Sequence, residues 1–277
     1  MSRIVAVVVV MASSLVLAAG CGRGPAPTPA GPLRVAAASD LQPALADLEA
    51  GFRRATGRAV QLVAGSSGQF AQQIRQGAPF DVLLSADREY VRALERDGIV
   101  VAGSPKAYAL GTLVLAARAE SAATVATLED LAKPEVRRVA MANPDHAPYG
   151  RAAKQALVEA GLWEALRAKV VLADSVRQAA QFVETGNADA GLLGRSVAEA
   201  AGLAGRPVPP RLYDPIVQGL GVVAASRHRE AAQAFVDFLV GPEGQDILRS
   251  HGFAPPRPGG GPVPKDDAPA TREAAVL

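Results

Sequence analysis

The 277-residue sequence contains a single cysteine, Cys21, so no intramolecular disulfide is available to it. Aromatic residues make up only 4%, which disfavours base-stacking platforms and aromatic sugar grooves. The three histidines, His146, His228 and His251, stand far apart in the chain. With no HExxH and no paired cysteines, zinc-ligand spacing is absent. Nor does the sequence contain a phosphate loop ending in Gly-Lys-Ser/Thr, a GxGxxG or a GxSxG elbow. Formal net charge is +2 and drops by one if a leader containing Arg3 is removed. A chain this close to neutral lacks the basic stripe of a nucleic-acid binder. These absences leave a small, polar ligand as the expectation.

Nearly half of the chain is hydrophobic (49%), enough for one large domain or two modest ones. Arg3 precedes an apolar run, Ile4 to Ala19, broken only by Ser13 and Ser14, and small residues lead into Cys21. Residues 1–20 therefore read as a secretory signal peptide. Cys21 resembles the lipobox cysteine of bacterial lipoproteins; the alternative is ordinary cleavage beside an incidental cysteine. Residues 21–32 read as a lipid anchor and a Pro/Gly-rich tether. At the other end, residues 255–277 have no hydrophobic period and read as a disordered tail.

Between these ends, strand-like runs repeatedly give way to hydroxyls or glycines at a helix start. Leu33–Ala37 breaks at Ser39-Asp40, and Leu41, Leu45 and Leu48 follow at helical spacing. Either Ser39 or Asp40 would stand at the N-cap. Ala59–Val63 ends in Gly65-Ser66-Ser67-Gly68 before a helix from Gln69 to about Gln76. Phe80–Ser85 is a buried strand, followed by a helix over Asp87–Asp97. Val136–Met141 runs into Asn143–Arg151, which holds His146, Tyr149 and Arg151, before a helix from about Ala152. Val170–Leu172 meets Asp174 or Ser175 as a cap, with Val176 on the first helical turn. Ala190–Leu193 ends in Gly194-Arg195-Ser196. Leu220–Ala224 is a last strand, and helices over Arg229–Leu239 and from Gly241 follow. Such alternation predicts an α/β fold with parallel sheets and a ligand at the carboxyl ends of the strands. Glycines admit an anion to backbone N–H groups, and helix N-termini favour negative charge. Arg151 suits an oxyanion or is a solvated helix residue. His146 is an acid–base or metal candidate, or a loop histidine bonded to backbone.

In order along the chain, VAAASDLQPAL (35–45), GSSGQFAQQI (65–74), GAPFDVLLSAD (77–87), NPDHAPYGRAAKQAL (143–157), VRQAAQFVETGNADAG (176–191) and GPEGQDILRSHGF (241–253) resemble the molybdate-binding component of bacterial ABC uptake systems. The resemblance implies a type II periplasmic binding protein. Its parallel-rich sheets would be flanked by helices, with lobe one at 33–110 plus 220–254, lobe two at 111–219, and a ligand cleft between them. It implies a tetrahedral oxyanion, molybdate or tungstate, held by the hydroxyls of Ser39 and Ser67 and the backbone N–H groups of Tyr149 and Val176, with no cation site and no cofactor. Asp40 lies beside the first hydroxyl; its carboxylate is expected to turn away as a cap while its N–H faces the ligand. Some relatives carry a tyrosine hydroxyl where Gly194 stands, and Arg151 or Arg195 is expected to compensate.

The implied partners are an ABC permease with its ATPase, the oxyanion, and the membrane through the lipid anchor, with no nucleic acid and a monomeric chain. The implied location is the periplasm or cell surface. Another oxyanion such as sulfate, an organic acid, a purely structural lipoprotein, and a secreted hydrolase using Ser67 or Ser39 are the alternatives. The hydrolase would need a base and an orienting carboxylate nearby.

Overall fold

A computed structural model describes residues 31–256. The expected leader (1–20), Cys21, nearly all of the 21–32 tether and all but the first residues of the 255–277 tail lie outside the described residues.

Strand β1 (Leu33–Ala38) shows why the chain folds as it does. Val35 and Ala37 face one buried cluster with Leu84, Phe52 and Phe235, and Ala36 faces another with Leu83, Phe70 and Ile74. A strand covered on both faces reads as a continuous apolar run. Burying each such Leu or Phe contributes roughly 1.5–3 kcal/mol relative to exposure. After β1 the chain passes through α1 (Leu45–Thr56), β2 (Val60–Gly65), α2 (Ser67–Arg75), β3 (Val82–Ser85), α3 (Arg88–Arg96) and β4 (Lys106–Gly111). Thr112 then carries it into a second sheet. That half comprises β5 (Leu113–Ala117), β6 (Val139–Ala142), α4 (Pro148–Glu159), α5 (Trp163–Leu166), β7 (Val170–Ala173), α6 (Val176–Glu184), β8 (Ala190–Gly194), α7 (Arg195–Ala200) and β9 (Ala204–Pro207). The chain returns along β10 (Ile216–Val222) and closes with α8 (Arg229–Val240) and α9 (Pro242–Ser250).

The two five-stranded sheets have the orders β2-β1-β3-β10-β4 and β7-β6-β8-β5-β9. Both are mixed rather than parallel. β10 runs antiparallel to β3 and β4, and β5 runs antiparallel to β8 and β9. The antiparallel strands β10 and β5 each begin just after the chain has crossed from the other sheet. The crossing residues lie side by side, since Ile216 pairs with Gly111 and the Tyr213 hydroxyl accepts from the Leu113 N–H (3.3 Å).

The continuous helix expected after β1 begins instead as a 3₁₀-helix, Ser39–Ala44, with Pro43 inside it and no side-chain cap. Proline lacks the N–H that an α-helical bond from this position would use. Strand β9 was not expected: its residues are all exposed, so no apolar alternation marks it, and Pro207 is tolerated at the sheet edge.

The parallel registers decide where the site falls. β1 matches β2 from Leu33↔Val60 to Ala38↔Gly65, and Ala37 matches Leu84 of β3. The carboxyl ends of three strands therefore sit level. In the other sheet Ala142 matches Ala173 and Met141 matches Leu192, which aligns three more ends. Each row of ends faces the other lobe.

Candidate functional site

Between those rows lies a small cavity. Lobe one contributes Ala38, Ser39, Asp40, Gly65, Ser66, Ser67 and Ala86; lobe two contributes Ala147, Pro148, Tyr149 and Val176. The structure thus brings Ser39, Ser67, Tyr149 and Val176 around one cavity.

Three α-helices begin at this cavity. Ser67 opens α2, Pro148 and Tyr149 open α4, and Val176 opens α6. The first N–H groups of a helix have no intrahelical acceptor and carry the positive end of its dipole. Pro148 has no N–H, so the Tyr149 N–H is the first donor of α4. Ser175 caps α6, its Oγ accepting from the Gln178 N–H (3.2 Å), which leaves the Val176 N–H at the mouth of the helix. The Ser67 Oγ accepts from the Ala86 N–H (3.0 Å). That bond occupies a lone pair and leaves the hydroxyl proton to donate. Ser39 is buried and opens the 3₁₀ turn.

The Tyr149 side chain points away from the cavity. Its ring lies where a Cβ on Gly194 would come within 3.0 Å, and its hydroxyl fills the space a Cβ on Gly111 would take. Gly194 therefore seats the Tyr149 ring and does not line the cavity.

Asp40 is fully buried and corrects the expectation of a cap. Its Oδ2 accepts from Gln218 Nε2 on β10. The Tyr108 hydroxyl donates to Gln218 Oε1 (2.5 Å) and so fixes which end of that amide faces Asp40. The Ser196 hydroxyl donates to the Asp40 carbonyl (2.8 Å). Burial pushes the Asp40 carboxyl up to about 6, opposed by Gln218 and by the nearby Tyr149 hydroxyl. The Asp40 Oδ1 is buried without a hydrogen-bond partner among the described residues. The same burial, with Asp40 adjacent, holds the Tyr149 and Tyr108 hydroxyls well above the usual tyrosine range.

Neither arginine lines the cavity. Arg151 pairs with Asp87 (2.5 Å) and Arg195 with Glu199 (2.5 Å). The expectation that one of them replaces a missing hydroxyl is therefore corrected: each guanidinium is drawn to a carboxylate elsewhere.

His146 works between the lobes. Its carbonyl accepts from the Gly68 N–H (3.0 Å), the Ser66 hydroxyl (2.9 Å) and the Tyr90 hydroxyl (3.4 Å). Its Nδ1 also lies 2.9 Å from the Ser66 Oγ. Among the described residues no group of three or more His, Cys, Asp or Glu could hold a metal ion. The sequence had not marked Gln218 or Tyr90, and Ser66 stood out only as part of the Gly65-Ser66-Ser67-Gly68 junction. The one local signal was Gln218, a polar residue within the apolar run IVQGLGV.

Two mixed α/β lobes joined by adjacent crossovers, with facing strand ends enclosing a small cavity of hydrogen-bond donors, define a periplasmic binding protein fold. The model for the bacterial extracellular solute-binding protein family matches residues 33–254, and the chain belongs to that family. It is 37% identical over 249 residues to the molybdate-binding protein ModA of Azotobacter vinelandii, covering 87% of this chain and 97% of that protein. It is 28% identical over 248 residues to the putative ABC transporter substrate-binding lipoprotein YvgL of Bacillus subtilis, covering 87% and 94%. The solved structure of the Azotobacter vinelandii periplasmic molybdate-binding protein superposes with a TM-score of 0.76 at 32% identity. That match covers 81% of this chain and all of the other.

Proposed function

We propose that this protein captures a doubly charged tetrahedral oxyanion, molybdate or tungstate, outside the cytoplasmic membrane. It passes the anion unaltered to an ABC permease and its ATPase, without a cofactor. One observation supports the reading: Ser39, Ser67, Tyr149 and Val176, the residues expected to offer hydroxyl and N–H donors, line one cavity that has no Lys, Arg or His among its lining residues. Helix dipoles and neutral donors spread the countercharge. A site of donors suits a fully deprotonated oxyanion better than a hydrogen phosphate, whose own O–H needs an acceptor. The molybdate-binding relatives favour the same ligand.

Calorimetry on the full chain with molybdate, tungstate, sulfate and phosphate tests this. Saturable binding of the first two is expected. Ser67→Ala removes one hydrogen bond to a charged group, worth about 1.5–3 kcal/mol, so affinity should fall roughly 10- to 150-fold. Parental affinity in Ser67→Ala, or no binding of any of the four anions, refutes the proposal.

Lipid attachment at Cys21 belongs to the same reading. It is supported by the signal-like segment before the lone cysteine and by the lipoprotein named among the relatives. In a bacterial host, Cys21→Ser should move the protein from the membrane fraction to the soluble fraction. An unchanged membrane fraction counts against the anchor.

A further inference from the structure

We propose that Gln218 is a positioning residue for oxyanion binding: from β10 it holds the Asp40 carboxylate off the ligand, so that Ser39 meets the anion without a competing charge. The proposal rests on the oxyanion-capture reading. Asp40 lines the cavity beside Ser39, whereas Gln218 and Tyr108 do not. Asp40 Oδ2 accepts from Gln218 Nε2, and Oδ1 is buried without a hydrogen-bond partner among the described residues. The bonded oxygen thus faces a residue outside the cavity, and Gln218 supplies the anchor of the carboxylate.

An irregularity in the sheet builds this anchor. Gln218 is fully buried on β10. It pairs with Ala109 of β4 while Gly219 pairs with Ala107, so Tyr108 is an extra residue in the ladder. A bulge of this kind re-aims the side chains beside it. The Tyr108 hydroxyl donates to Gln218 Oε1 (2.5 Å), which leaves the amide its N–H groups to offer Asp40. The titratable groups facing Asp40 are the hydroxyls of Tyr108 on β4 and Tyr149 on α4. Burial holds both well above the usual tyrosine range, so Asp40 is the member of this cluster that changes charge near neutrality. Repulsion between like charges grows as they approach and as water is excluded. A carboxylate released from Gln218 is free to turn towards the cavity and oppose a dianion there.

The test measures molybdate affinity by calorimetry on the full chain, from about pH 5 to about pH 9, for the parent, Gln218→Met, Asp40→Asn and the double variant. Methionine has a similar volume to glutamine and no donor. At about pH 5, where Asp40 is mostly protonated, Gln218→Met should bind within about 3-fold of the parent. At about pH 9 it should bind roughly 10-fold or more weakly. Adding Asp40→Asn should remove that pH-dependent loss. A side chain with only a packing role would cost the same at every pH, with or without the Asp40 charge. An equal loss across the pH range, no loss at the alkaline end, or a loss that persists in the double variant overturns the proposal. Where Gln218→Met does not fold, Gln218→Asn, whose amide stops one methylene short of Asp40, is held to the same outcomes. If the parent binds no oxyanion, the capture reading falls and the positioning role falls with it. A parent that binds, beside a Gln218 variant that matches it at every pH, removes the positioning role alone.

Discussion

Replacing Gly68 with alanine should cost at least about 100-fold in molybdate affinity while leaving each lobe folded. A Cβ at this position would lie 2.6 Å from the His146 carbonyl oxygen, 3.0 Å from the His146 Cα and 2.7 Å from the Tyr90 hydroxyl. The His146 atoms belong to the backbone of the opposite lobe, so they cannot swing aside as a side chain could. The lobes must part, which also breaks the bond from the Gly68 N–H to the His146 carbonyl. Nothing in the backbone itself demands glycine, because Gly68 is not among the residues with positive φ. Inside α2, alanine is about 1 kcal/mol more favourable than glycine. The ligand-free variant should therefore melt no lower than the parent. Calorimetric titration together with a melting curve reads both effects. Parental affinity, or a fall in affinity explained by a fall in melting temperature, would sink the steric argument.

Asp40→Asn should stabilise the protein and flatten the pH dependence of binding. Burial raises the Asp40 carboxyl from 3.8 to about 6. With the folded value above the unfolded one, both states are protonated at the acid end and no penalty exists there. As pH rises from about 4 to about 6, the unfolded chain ionises while the folded chain resists, and stability falls. Above about 6 the loss is complete, on the order of 3 kcal/mol. Asparagine has the same shape and keeps an oxygen for Gln218 without the charge. At pH 7 the variant should gain up to that amount in denaturant unfolding, and it should gain nothing at pH 4.

A dianion in the cavity raises the carboxyl further, since like charges disfavour ionisation. Molybdate binding near neutrality should therefore take up a proton, and affinity should weaken with rising pH by at most about tenfold per unit. Titrations in buffers of different ionisation enthalpy would show that uptake in the parent and its absence in Asp40→Asn. Equal proton uptake in both chains would remove Asp40 from the account.

These two residues show what could be read in one dimension. Asp40 lies beside Ser39 in a strand-to-helix passage, so its nearness to the ligand site followed from local sequence. Its partner did not, because Gln218 is 178 residues away. Arg151 was legible as a cation at a strand-to-helix junction, suited to an oxyanion or simply solvated. Its commitment to Asp87, 64 residues earlier, depends on how the lobes meet. Gly68 read as one glycine of a Gly-Ser loop, and only the opposing His146 carbonyl gives it a steric role.

Local order alone determined the alternation of apolar strands with helices, and the hydroxyls and glycines at their junctions. Hydrophobic period and helix capping act over a few residues, and a neighbour in sequence is enough to produce them. Tertiary structure decided the mixed strand order, the direction of the Asp40 and Tyr149 side chains, and the separation of Arg151 and Arg195 from the cavity. Each of those depends on a contact between residues far apart in the chain, and a buried or seam-forming polar group takes whichever partner the packed lobes bring within reach.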